Sequence, residues 1–158
     1  VTWDPFANLV DIVPGKMPVV NSPVVKPKDG VATIVSSEWS GDEPDIGFLS
    51  YDGDPTTRWS VDGAGAWIVY TLNQEYTVKS VYVNFYQGDK RTASFDLYYS
   101  MDGKEYKPML EKAESNGKEE GQIYPLPEPV TCKYVKFVGK GNSANTWNSI
   151  QEIEFRTK

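Results

Sequence analysis

From about Val31 onward, apolar and polar positions alternate with period two. Val31-Ala32-Thr33-Ile34-Val35-Ser36 is rich in β-branched residues, and Ala66-Trp67-Ile68-Val69-Tyr70-Thr71-Leu72 is a β-branched and aromatic run. Between Val78 and Gln87, Val81, Val83 and Phe85 share one face, and Ser80, Tyr82, Asn84 and Tyr86 share the other. Phe95, Leu97 and Tyr99 alternate with Asp96, Tyr98 and Ser100. Met101-Asp102-Gly103-Lys104 reads as a turn, Tyr106 to Leu110 resumes the pattern, and Cys132–Val138 and Ile150–Phe155 close it. Short alternating runs separated by Gly, Asp, Asn and Pro predict an all-β, antiparallel sandwich or barrel. No segment sustains a helical period, and polar Glu111–Gly121 is expected as an exposed loop. Trp59 and Trp67, at strand starts, are expected in the core, because aromatic rings dominate sandwich interiors.

The first stretch is different. Pro5, Pro14, Pro18, Pro23 and Pro27 forbid a helix and suit an extended linker. Trp3, Phe6, Leu9 and Val10 offer it apolar contacts with a neighbouring unit. The expected organisation is therefore a proline-rich segment over 1–30 and a β domain over 31–158.

Composition narrows the chemistry. A chain of 158 residues suits one domain that folds without disulfide staples. A net charge of −6 argues against nucleic-acid partners, which need a basic footprint. Cys132 is the single cysteine and there is no histidine. An internal disulfide, a Cys/His zinc site and the His-dependent nucleophile systems are thereby excluded. Cys132 lies in an apolar-alternating run and is expected to be a buried, inert thiol. No stretch approaches the ~20 apolar residues of a membrane span, so no membrane insertion is expected. The start shows no signal-peptide pattern, and localisation is not read from it.

The densest local chemistry is Ser50-Tyr51-Asp52-Gly53-Asp54-Pro55-Thr56-Thr57-Arg58-Trp59-Ser60. Calcium takes roughly six to eight oxygens from carboxylates, hydroxyls and carbonyls, and a tight acidic loop supplies most of them. The EF-hand register and its closing Glu are absent. The alternative is an Asx-turn with surface acids.

The ordered set of Tyr51-Asp52-Gly53-Asp54-x-x-Thr57-Arg58-Trp59, the strand Trp67-Ile68-Val69-Tyr70, Val81-x-Val83-x-Phe85, Phe95-Asp96-Leu97-x-x-Ser100-x-Asp102-Gly103, Tyr134-Val135-Lys136-Phe137 and Trp147-Asn148-Ser149-Ile150-Gln151-Glu152-Ile153-Glu154 resembles the discoidin-like, galactose-binding-like domains. Within them it is most similar to the family 32 carbohydrate-binding modules, over residues 31 to 156. The resemblance implies a jelly-roll sandwich of about eight main strands. It also implies a structural calcium held by the carbonyls of Leu49, Asp54 and Gln151, the carboxylates of Asp52 and Glu152, and the hydroxyl and carbonyl of Thr57. Two carboxylates would balance the ion's charge, and neutral oxygens would complete about seven ligands.

Sugar-binding residues of that family lie on loops at one end of the sandwich. Here those loops hold Trp39, then Gln87 to Arg91, then Gly139 to Asn148. Trp39 reads equally as a stacking platform or as a plug in the end of the sandwich. Trp147 reads as structural. Lys90 and Arg91 form the one compact cationic pair on these loops; they either hold a carboxylate, as in a uronate, or solubilise a hairpin. Gln87, Asn142 and Asn145 would supply amides for sugar hydroxyls. Segments Gly88-Asp89-Lys90-Arg91 and Gly141 to Ser149 resemble modules attached to alginate lyases and related polysaccharide-degrading enzymes.

The expected function is a non-catalytic, monomeric module with a polysaccharide ligand and a catalytic domain in the same parent chain. It would be secreted or cell-surface, whether extracellular or periplasmic. Adhesion or spacer roles are the alternative; the adhesive relatives use apolar loop spikes and a terminal disulfide, which these polar loops and lone Cys lack. A glycosidase would need two acids in one cleft, and the one such pair, Asp52 and Glu152, is assigned to calcium; a lyase using Tyr or Lys stays open as a less favoured alternative.

Overall fold

The computed structural model describes residues 30–37 and 46–158. The proposed linker, Gly30 apart, and Trp39 lie outside the described residues.

The described chain forms β1 (Val31–Ser36), a 3₁₀ turn (Ile46–Ser50), β2 (Trp59–Asp62), β3 (Trp67–Phe85), β4 (Ala93–Ser100), β5 (Lys107–Glu114), β6 (Gln122–Asn142) and β7 (Trp147–Arg156). All pairings are antiparallel. The hydrogen-bonded order is β2-β7-β3-β6-β4-β5, with β1 on the free flank of β3.

Two expectations need correction. The runs Ala66–Leu72 and Val78–Gln87 are not separate strands: Trp67 to Leu72 and Val78 to Phe85 are parts of the single β3, 19 residues long. Asn73 to Thr77 contain no Gly or Pro to end the strand, so the chain bends, with register shifts against β6 between Thr71 and Tyr76 and between Val78 and Ser80. This continuity is why seven strands are counted where about eight were expected. β5 also runs on to Glu114, shortening the expected loop from Glu111 to Gly121.

The bends turn one ladder into a sandwich. The first part of β3 pairs with β1 and with Tyr134–Val138 of β6, whose other edge pairs with β4. The second part of β3 pairs with Gln122–Val130 of β6 and with β7, which carries β2. The two long strands therefore pass from one layer to the other.

Rings from both layers meet between them. Phe85 of the second layer lies 5.3 Å from Phe95 of the first, ring centre to ring centre, and Trp59 meets the edge of Phe137 at 6.1 Å. Phe95 stacks on Phe137 at 5.1 Å. Trp59 is fully buried, as the sequence predicts, whereas Trp67 is only half-buried, with the Lys136 ammonium 5.3 Å from its ring. Burial pushes the Cys132 thiol up to about 11 and the Tyr124 phenol up to about 12, so both stay protonated in the folded domain at neutral pH.

Candidate functional site

Two neighbouring sites are built on β2 and β7. The first is the acidic loop. The Thr57 hydroxyl oxygen lies 2.7 Å from Asp52 Oδ2, 3.0 Å from the Asp54 carbonyl and 3.3 Å from the Leu49 carbonyl. A hydroxyl carries one proton, so it satisfies one of these three acceptors at a time. The Asp54 carboxylate turns away, accepting bonds from the Thr56 hydroxyl (2.6 Å) and the Thr56 amide (2.9 Å). Those bonds, the hydroxyl first, hold its pKa below the ordinary value. Asp54 thus offers its carbonyl to the cluster, the role the resemblance gives it.

Glu152 joins from a position distant in sequence. It is buried, and its Oε1 accepts the Gly53 amide at 3.2 Å. In β7, Ile150 pairs with Phe85 and Glu152 with Asn84, so Gln151 is an extra residue in the ladder. Such a bulge re-aims its neighbours and leaves the extra residue out of regular pairing. It accounts for Ile150 and Ile153, three apart, both reaching the core opposite Phe85 and Val83, with Glu152 opposite Asn84 on the other face.

Among the described residues no three His, Cys, Asp or Glu side chains gather as a metal cluster. An ion here would therefore rest on two carboxylates and several neutral oxygens. The donor set fits: hard, oxygen-only, and with more acceptors than protons to share.

The second site is a hollow of about 220 Å³ lined by Arg58, Ser60, Tyr86, Arg91, Trp147 and Ser149. Strand alternation creates it. Trp59, Val61, Asn148, Ile150 and Phe85 are buried, so Arg58, Ser60, Trp147, Ser149 and Tyr86, each one position away, are left for the opposite face. Ser60 and Ser149 are directly paired, and their hydroxyls meet at 2.7 Å on the floor. The Tyr86 amide donates to the Ser149 carbonyl at 3.1 Å, fixing Tyr86 beside β7.

Tyr86 carries two cations. The Arg58 guanidinium carbon lies 3.9 Å from the ring centre and that of Arg91 lies 5.4 Å from it. Neither arginine has a carboxylate in ion-pair range among the described residues. Trp147 stands beside them, 43% exposed.

The loop residues expected to bind sugar have varied places. Arg91 lines the hollow, and Asn142 lines a smaller recess continuous with it. Gln87 adopts a positive φ of 53°, and its carbonyl accepts the Lys90 and Arg91 amides at 2.9 and 3.2 Å; it shapes the turn that presents Arg91. Lys90 lies outside the hollow lining and leans toward Asp89 at 3.9 Å.

Asn142 and Asn145 hold the last loop. The Asn142 amide donates to Asn145 Oδ1 and to the Trp147 carbonyl, both at 2.8 Å, and Asn145 Oδ1 accepts the Trp147 amide at 3.0 Å. They position Trp147, which is a wall of the hollow rather than a core residue. Beneath it, Asn148 Oδ1 accepts the Gly141 amide at 2.7 Å. Its Nδ2 donates to the Gly63 carbonyl at 2.9 Å. A Cβ on Gly139 would collide with this buried side chain, so that position tolerates only glycine.

Arg58, Ser60, Tyr86 and Ser149 were not foreseen in this role. Arg58 was visible as the residue after the acidic loop, and Tyr86 as an aromatic at the mouth of the Gln87–Arg91 turn. What was missing was the β2–β7–β3 pairing that joins them.

Fold and sites together define a discoidin-like β-sandwich with an open hollow beside β2 and β7. The chain matches the F5/8 type C domain family over residues 32–153, and it belongs to that family. A pectin binding carbohydrate binding module superposes with a TM-score of 0.74 at 26% identity, covering 81% of this chain and 91% of that one. The CBM32 of AlyQ, solved in complex with 4,5-unsaturated mannuronic acid, gives a TM-score of 0.73 at 30% identity, over 82% of this chain and 98% of that one. In a truncated AlyQ with CBM32 and alginate lyase domains, the match is 31% identical with a TM-score of 0.69, over 78% of this chain and 31% of the longer one. Among curated proteins none matches. The domain is accordingly of a non-catalytic, binding class.

Proposed function

We propose that this domain is a carbohydrate-binding module that recognises an acidic, uronate-containing polysaccharide such as alginate in the Arg58–Tyr86–Arg91–Trp147 hollow. The observation that carries the reading is the pair of arginines, without carboxylate partners among the described residues, converging on one tyrosine ring beside an exposed tryptophan. Guanidinium groups fork onto carboxylates, while aromatic faces take the C–H face of a sugar ring. The net charge of −6 makes a local cationic hollow selective for an anionic group rather than a general anion trap. The hollow is below the usual 300–1,000 Å³ of drug-sized pockets, so it suits one or two sugar rings and predicts weak single-site affinity. The pectin-binding and mannuronate-bound structures support this ligand class.

The acidic loop would hold a structural calcium through Leu49, Asp52, Asp54, Thr57, Gln151 and Glu152, tying the loop to β7. The ion would contribute charge balance and rigidity and take no part in bond cleavage. The module would sit in a secreted, polysaccharide-degrading enzyme, raising that enzyme's local concentration on its substrate. No described helix is long and apolar enough to cross a membrane.

Affinity electrophoresis in gels containing alginate, pectin, agarose, chondroitin or a galactan tests the reading. Retardation by an acidic glycan, abolished in Arg58→Ala/Arg91→Ala, is the expected result. Retardation by neutral galactan alone would remove the uronate claim, and no retardation by any glycan would favour a protein-contact or spacer role.

A further inference from the structure

The two sites share their backbone. Thr57, at the centre of the oxygen cluster, is bonded directly to Arg58, the cation closest to Tyr86. On the other side, Ser149 of the hollow lies two residues before Gln151 at the bulge and three before buried Glu152. The Gly53–Glu152 bond joins the loop to β7, and the Ser60–Ser149 contact joins β2 to β7 at the hollow. Arg91 has no such direct link: it hangs from the Gln87 turn after β3, and its amide bonds to the Gln87 carbonyl rather than to the loop.

We propose that the acidic loop is a positioning element for the glycan site, and that a cation in it tightens glycan binding specifically through Arg58. The inference rests on the calcium and uronate readings above. Arg58 is an exposed side chain, stacked on Tyr86 but in no ion pair among the described residues, so its placement depends on its backbone and that ring. The Thr57 hydroxyl brings one proton to three oxygens, with the Thr57 amide reaching the Asp54 carbonyl at 3.3 Å, and a divalent cation would draw these oxygens together. An empty loop therefore leaves the Thr57–Arg58 backbone looser, and a ligand must then order Arg58 on binding. Ordering one long side chain costs enough to weaken binding roughly 2- to 12-fold. Linkage is reciprocal, so glycan must raise cation affinity by the same factor.

The test is a titration of the full chain with a uronate tetramer, mannuronate or galacturonate, in calcium and in EDTA. It is run on wild type, Arg58→Ala and Arg91→Ala, with each protein's melting temperature recorded in both buffers. Calcium should strengthen wild-type binding roughly 2- to 12-fold. Arg91→Ala should bind more weakly but keep that ratio, and in Arg58→Ala the ratio should fall to about one. Direct calcium–uronate contacts would act equally on both variants, so the difference between them isolates Arg58. Arg58→Lys provides a measurable substitute if the alanine variant binds too weakly, and should show a ratio below that of wild type. Thr57→Ser should retain the calcium effect and Thr57→Val should lose it. An undiminished ratio in the Arg58 variants, or a wild-type ratio of one with calcium still raising the melting temperature, overturns the coupling. Unchanged melting temperature with intact glycan binding overturns it by removing the calcium reading. Calcium stabilisation without tetramer binding overturns it by removing the glycan reading.

Discussion

The acidic loop and the arginine hollow lie side by side on β2 and β7 but are encoded in opposite ways. Four of the six candidate metal residues, Leu49 to Thr57, are neighbours in sequence, and the fold adds only Gln151 and Glu152. The hollow draws six residues from four places: Arg58 and Ser60 at β2, Tyr86 just after β3, Arg91 in the turn before β4, and Trp147 and Ser149 at the start of β7. A continuous loop is readable as chemistry because chain connectivity already holds its donors close. A site built from separate strands has no local signature, since each member looks like an ordinary polar position of an alternating strand.

The difference implies different responses to perturbation. The largest expected effect is on the hollow. Charge-assisted bonds are worth about 1.5–3 kcal/mol each, so Arg58→Ala/Arg91→Ala should weaken uronate binding on the order of 100-fold or more. The melting temperature should barely change, because Arg58 is exposed and Arg91 only half-buried. A comparable loss of folding would make these arginines structural.

The loop should behave in reverse. If calcium stands at about 100 times its Kd, removing it costs about 2.7 kcal/mol, a drop of roughly 5–10 °C for a domain of this size. An identical melting temperature in calcium and EDTA would leave the loop a set of Asx-type turns. Smaller again is Trp147→Ala, which should weaken binding roughly 2- to 12-fold by removing a stacking face. Lys90→Ala should stay within about twofold of wild type, as its ammonium leans to Asp89 outside the hollow. Equal losses from Lys90 and Arg58 variants would return the site to the turn and away from β2.

The proton chemistry draws the same line between surface loops and core. Asp54 and Asp102 have lowered pKa values, set first by the Thr56 hydroxyl and by the Lys104 amide respectively. Their contribution to stability is present above the unfolded value of 3.8 and is lost as pH falls through the lower folded values. Cys132 and Tyr124 are raised, so theirs is complete below the unfolded values of 9.0 and 10.0 and is lost as pH rises toward about 11 and about 12. Cys132 should accordingly resist a thiol reagent at pH 8 until the domain unfolds. Rapid labelling of the native protein would contradict its burial.

Most of the sandwich was legible in period-two alternation, because each strand buries one face: Val81, Val83 and Phe85 are inside, as their spacing requires. The continuity of β3 was not, since a bend without Gly or Pro leaves no punctuation in the sequence. Arg91 was legible as a cation on a polar loop. Its partnership with Lys90, suggested by adjacency, gives way to one with Arg58, since both arginines lie by the Tyr86 ring while Lys90 leans to Asp89. Trp147 read as structural because Asn148, Ser149 and Ile150, which follow it, are indeed buried. One step of strand alternation separates the wall of the hollow from the core beneath.

The central claim is that Arg58 and Arg91 read a carboxylate. Its most direct test is calorimetric titration of the wild-type chain with tetragalacturonate and with the fully methyl-esterified tetramer, which keeps the rings and removes the charge. Binding of the acid at least about tenfold tighter than the ester, with the preference lost in Arg58→Ala/Arg91→Ala, is the predicted result. Equal affinity for acid and ester would contradict it, and would leave the hollow a site for sugar rings without regard to their charge.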